Sequence, residues 1–106
     1  MPVDRTIMAR DAGNHPIPAL RPGAVTQSVA YTGTAGVITN PVSSTVVRVY
    51  CTSDAFIAIG TAPVATTAWT PVTAKVPEYF RVIPGVDKVS AIQSSAGGTL
   101  YVTDMN

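Results

Sequence analysis

Residues 44–104 decide the fold: STVVRVYCT (44–52), AFIAIG (55–60), PEYFRVIPG (77–85), KVSAIQ (88–93) and GTLYVTD (98–104) are short apolar-alternating runs separated by turn residues. Alternation with a period of two puts successive side chains on opposite faces of a strand, whereas a helix repeats about every 3.6 residues. Val47, Val49 and Cys51 therefore share one face, with Arg48 and Tyr50 on the other. Ala55, Ile57 and Ile59 likewise share a face, Phe80 and Val82 oppose Tyr79, Arg81 and Ile83, and Leu100 and Val102 oppose Thr99, Tyr101 and Thr103. Thr52-Ser53-Asp54 reads as the turn of a hairpin joining the first two runs. Pro84-Gly85-Val86-Asp87 reads as a tight turn, proline fixing φ and glycine free to take a positive one.

Working outward, AVTQSVAY (24–31) directs Val25, Gln27, Val29 and Tyr31 to a core, and GVITN (36–40) forms a short strand ending at Asn40-Pro41. In TAPVATTAWTPVTAKV (61–76), Pro63 and Pro71 restrict the chain to an edge strand or a long loop. The uncharged stretch 55–74 has the length of a membrane span, but Gly60, Pro63, Pro71 and the accumulated threonines make it strand, loop and strand. Seven or eight strands at this spacing suit a β-sandwich or a small barrel. Residues 1–22 differ in kind: Pro2, Pro16, Pro18 and Pro22 oppose a helix, and Ala12-Gly13-Asn14 marks a turn. The expected organisation is an extended N-terminal arm over 1–22 and an all-β, single antiparallel sandwich domain over 23–106.

A chain of 106 residues supports one hydrophobic core. With 46% hydrophobic and only 12% charged residues it does not match a disordered composition, and the low charge points to surface that meets protein instead of water. A net charge of +1 without a dense basic patch argues against nucleic acid and against anionic membrane as partners. The single cysteine, Cys51, has no partner for an internal disulfide and reads as a buried small hydrophobe. The N-terminus is too polar and too interrupted for a signal-peptide apolar region.

Chemistry finds no constellation. His15 is the one histidine and lies in the proline-rich arm, Cys51 is the one other soft donor, and no further metal ligands stand at workable spacing. No GxSxG elbow accompanies the serines. Asp54, Glu78, Asp87 and Asp104 fall at strand ends or turns, where solvated acids are ordinary. The glycine turns at 33–36 and 97–98 lack a phosphate-loop or dinucleotide context. The expectation is a protein with no catalytic residue, no cofactor and no metal, whose function is binding. Contacts are assigned to Ile7, Met8, Ile17 and Leu20 on the arm, and to Trp69 and Tyr101 on the domain.

The segments FIAIGTAPVATT, PEYFRVIPGVDKVSAIQ and GTLYVTDM resemble small virion structural proteins of tailed bacteriophages. In these, an Ile-x-Ile-Gly strand and a Thr-rich loop precede a Pro-Glu-x-Phe-x-Val strand, a Pro-Gly turn, a Lys-Val strand and a terminal Gly-Thr-Leu-x-Val-Thr strand. The likeness covers roughly residues 45–105, and RDAGNHP near the N-terminus is similar as well. It implies a jelly-roll-like sandwich acting as a capsid cement or decoration protein, located on the capsid surface of a virion assembled in the host cytoplasm. The partner would be the major capsid protein, bound across neighbouring capsomers. A homo-oligomer, dimer or trimer, would protect the sandwich's edge strands. The alternative is a carbohydrate- or receptor-binding β-module of a head fibre or tail appendage, motivated by aromatic side chains on a β-face.

Overall fold

The computed structural model describes residues 9–10, 16–17 and 21–105. Among these residues ten strands follow one another: β1 (Ala9–Arg10), β2 (Pro16–Ile17), β3 (Pro22–Tyr31), β4 (Gly36–Val37), β5 (Val46–Cys51), β6 (Ala55–Gly60), β7 (Thr70–Val72), β8 (Glu78–Arg81), β9 (Lys88–Gln93) and β10 (Gly98–Met105). The last eight build two four-stranded sheets, ordered β3-β10-β5-β8 and β4-β9-β6-β7, with every pair antiparallel. Two facing sheets with this order, the chain crossing between them at nearly every connection, make an eight-stranded jelly roll. The fold is all-β, a single antiparallel sandwich. Among the described residues no helix is long and apolar enough to cross a membrane.

The inward set read from the alternation is the core. Val47, Val49 and Cys51 from β5, Ala55 and Ile57 from β6, Val89 and Ala91 from β9, and Leu100 and Val102 from β10 are all buried. Val29, Ile59 and Phe80 pack on this cluster from its margin. In the turn after β8, Gly85 has a φ of 74°, the left-handed region a glycine enters without steric cost. The N–H groups of Val86 and Asp87 both reach the Ile83 carbonyl there, and the Asp87 carboxylate accepts the Ile83 N–H at 2.8 Å. Pro71 is accommodated because β7 is an edge strand of its sheet. The arm's two described segments pair with each other, Ala9 opposite Ile17 and Arg10 opposite Pro16. The turn expected at 12–14 lies outside the described residues.

Three expectations change. Thr52-Ser53-Asp54 is not a hairpin turn: β5 and β6 belong to different sheets, because both edges of β5 are already taken by β10 and β8. That link is held by Tyr31, whose phenol donates to the Ser53 carbonyl at 2.6 Å, while Ser53 Oγ bonds the carbonyls of Ala96 and Gly97 at 3.0 Å. Val25 is 49% exposed and not in the core. Thr26 stands opposite Thr103 but Pro22 opposite Met105, so β3 spends four residues where β10 spends two, and such a bulge re-aims the side chain within it. Asp104, read as a solvated acid, is buried and accepts a 2.6 Å hydrogen bond from Ser43 Oγ, fastening the β4–β5 loop to the last strand.

Candidate functional site

The register of the first sheet assembles its outer face. Ser28, Tyr101 and Tyr50 form one cross-strand row, and Thr26, Thr103, Arg48 and Tyr79 form the next. Beyond them, Val46 lies opposite Arg81. Each of these side chains points outward because its sequence neighbours Val47, Val49, Leu100 and Val102 must point in. Tyr50 and Tyr101 meet with ring centroids 6.2 Å apart and planes tilted by 58°. The Arg48 guanidinium carbon lies 5.5 Å from the Tyr50 ring centroid, a cation–π distance. Thr26 and Thr103 share a hydroxyl–hydroxyl hydrogen bond of 2.9 Å.

The second sheet's outer face is built differently. Ala58 and Ser90 are paired across β6 and β9 with outward parity, yet both are buried. Residues 61–69 fold back over them: the Ala65 N–H donates to Ser90 Oγ at 3.0 Å, and Pro63 and Ala65 are themselves buried. This roof carries Val64 and Trp69 outward, 66% and 49% exposed. At the same end of the sandwich, Ile83 and Val86 stand out from the β8–β9 turn, 59% and 42% exposed. With Val25 at the start of β3, five of the eight large apolar side chains exposed on the described surface gather towards the end where residues 1–21 join the domain.

Among the described residues no three potential ligands converge. Burial pushes the Cys51 thiol up to about 11, so it is neutral and inert at physiological pH. Burial also raises the Tyr31 phenol, already engaged with Ser53. Asp54 accepts the Ala74 N–H at 2.7 Å, and with Asp87 and Asp104 it serves as a fastener of loops. A shallow depression of about 320 Å³ beside Phe56, lined by Asp54, Pro71, Thr73 and Ser94, gathers no reactive set.

Of the residues assigned from sequence, Trp69 and Tyr101 are exposed, but on opposite sides of the sandwich, so they do not form one patch. Ile17 lies in β2; Ile7, Met8 and Leu20, like His15, lie outside the described residues. Tyr50, Arg48 and Arg81 were not singled out as contacts. Their signal was present in the outward phase of VVRVYC and EYFR, but only the strand order brings them beside Tyr101. Comparison with protein-family models, curated proteins and solved structures found no match.

Proposed function

We propose that this protein is a non-enzymatic virion structural protein of a tailed bacteriophage, a decoration or cement protein that binds neighbouring major capsid subunits and stabilises the shell. The observation that carries the reading is the exposure of Val25, Val64, Trp69, Ile83 and Val86 on loops and a strand start towards one end of the sandwich. Large apolar side chains left exposed at one end of a small domain are candidates for an association site. The arm assigned to capsid contact enters the domain at β3, whose start carries Val25. The likeness of residues 45–105 to phage virion proteins points the same way, and the jelly-roll strand order agrees with it. Assembly as a dimer or trimer would let one particle engage several capsomers and multiply a modest single-site affinity.

Co-sedimentation with purified heads of the source phage, depleted of this protein, tests the reading. The intact chain is expected to saturate a fixed number of sites, and Trp69→Ser with Ile83→Ser to weaken binding at least about tenfold, as loss of central apolar anchors does. An intact chain that stays in the supernatant overturns it.

A further inference from the structure

We infer that the outer face of the β3-β10-β5-β8 sheet binds an acidic polysaccharide, a polymer whose sugars carry carboxylates. The inference does not rest on the virion reading, because that reading uses the loop end and leaves this face open.

Four properties of the face converge on this ligand. Tyr50, Tyr79 and Tyr101 offer ring faces on which the C–H side of a sugar can stack. Thr26, Ser28 and Thr103 place hydroxyls in the same rows, matching a ligand rich in hydroxyl groups. Arg48 and Arg81 supply two guanidinium groups, the side chain best suited to a planar carboxylate. Among the described residues no carboxylate offsets them. Of the described acids, Asp54 and Asp87 bond turn amides, Asp104 is buried against Ser43, and Glu78 is paired with inward-facing Val49. The face is therefore cationic although the whole chain carries only +1.

Arg48 packed at 5.5 Å from the Tyr50 ring, and Tyr50 at 6.2 Å from Tyr101, are already braced before any ligand arrives. Such bracing lowers the ordering cost of binding. Other occupants fit less well. A protein interface wants an apolar centre, and on this sheet's outward positions the large exposed side chains are tyrosines, the exposed aliphatic ones lying elsewhere, all but Val76 towards the loop end. A second copy laid face to face would bring arginines against arginines with no acid between them. A nucleic acid would meet only two cations where a phosphate backbone asks for a denser patch.

Affinity electrophoresis of the full chain through gels containing polygalacturonate, alginate or hyaluronan tests the inference, with neutral dextran, poly-glutamate and oligo-dT as competitors for the interpretation. At least one uronate polymer is expected to retard the protein, and dextran to leave it unretarded. Tyr101→Ala, Arg48→Gln and Arg81→Gln should each weaken retardation at least tenfold while leaving the thermal melt in place, and Thr67→Ala, exposed on the roof of the other sheet, should leave retardation unchanged. Three outcomes overturn the proposal: no retardation by any uronate polymer, retardation by poly-glutamate of equal strength that survives Tyr101→Ala, or stronger retardation by oligo-dT. Because no capsid enters the experiment, its failure leaves the decoration reading standing, and failure of co-sedimentation leaves this one.

Discussion

Tyr101 and Ser90 both point away from the core, one on each sheet, yet Tyr101 is 38% exposed and Ser90 is fully buried. The first sheet leaves the tyrosines, arginines and hydroxyls of its outward rows partly or fully exposed, although Met105, in the same phase at the end of β10, is buried. The second is roofed by residues 61–69, so its outward Ala58 and Ser90 have become a second, thin interior. The contrast teaches that strand phase alone does not separate surface from core in this protein. A small residue at an outward position, Ala58 or Ser90, is the local condition that lets a loop lie down. A tyrosine or arginine there keeps the face open.

The sharpest way to break the comparison is to change consecutive residues of β10. Leu100 is fully buried between the sheets and Tyr101 stands on the open face. Leu100→Ala is expected to cost about 3–5 kcal/mol, the transfer loss plus an unfilled cavity, while Tyr101→Ala stays below about 1 kcal/mol. Urea unfolding of both variants measures it. Equal losses would mean that the Tyr50–Tyr101 contact is part of the structural core and not a ligand platform.

Much of this was legible in the residues. The inward phase of VVRVYC, AFIAIG and GTLYVT named nearly all of the β5, β6 and β10 core, because burial of one face forces a period of two. What alternation cannot carry is pairing. Nothing in Thr52-Ser53-Asp54 distinguishes a hairpin turn from a crossing between sheets; that is decided by which strands already occupy the edges of β5. For the same reason Arg48, Tyr50 and Tyr101 could each be read as outward, but their convergence waits on a strand, β10, that lies about fifty residues away in sequence. The bulge that exposes Val25 is equally non-local, arising from the mismatch of β3 with β10.

Cys51 tests the interior from the side of the open sheet. Its thiol is raised from 9.0 to about 11 by burial. At pH 7 both folded and unfolded chains hold the proton, so it contributes no pH dependence. Between about pH 9 and 11 the unfolded chain releases the proton and the native chain keeps it. The unfolded state then binds fewer protons, so stability falls as pH rises, by at most about 1.4 kcal/mol per pH unit from this group, and levels off above it. The buried Tyr31 phenol adds a slope of the same sign. Comparing urea midpoints of the native chain and Cys51→Ala across this range isolates the thiol, whose removal should flatten the decline. Parallel curves would place the sulfur in contact with water.

The smallest effects probe the roof against the open face directly. Ser90→Ala deletes the acceptor of the Ala65 N–H, leaving a buried donor with no partner, and should cost about 1–3 kcal/mol. Thr103→Ala deletes a hydroxyl that also makes one hydrogen bond, to Thr26, but on the open face where water replaces it. Its cost should fall within about 0.5 kcal/mol. The two substitutions remove the same chemical function, so the ratio of their effects reports how dry each face is. Hydrogen exchange at the Ala65 amide adds the local reading: slow in the native chain and fast in Ser90→Ala with global stability only partly reduced, it would show the loop lifting as a unit. Slow exchange retained in the variant would mean that Pro63 and Ala65 hold the roof by packing alone, and that the hydroxyl of Ser90 fixes only its register.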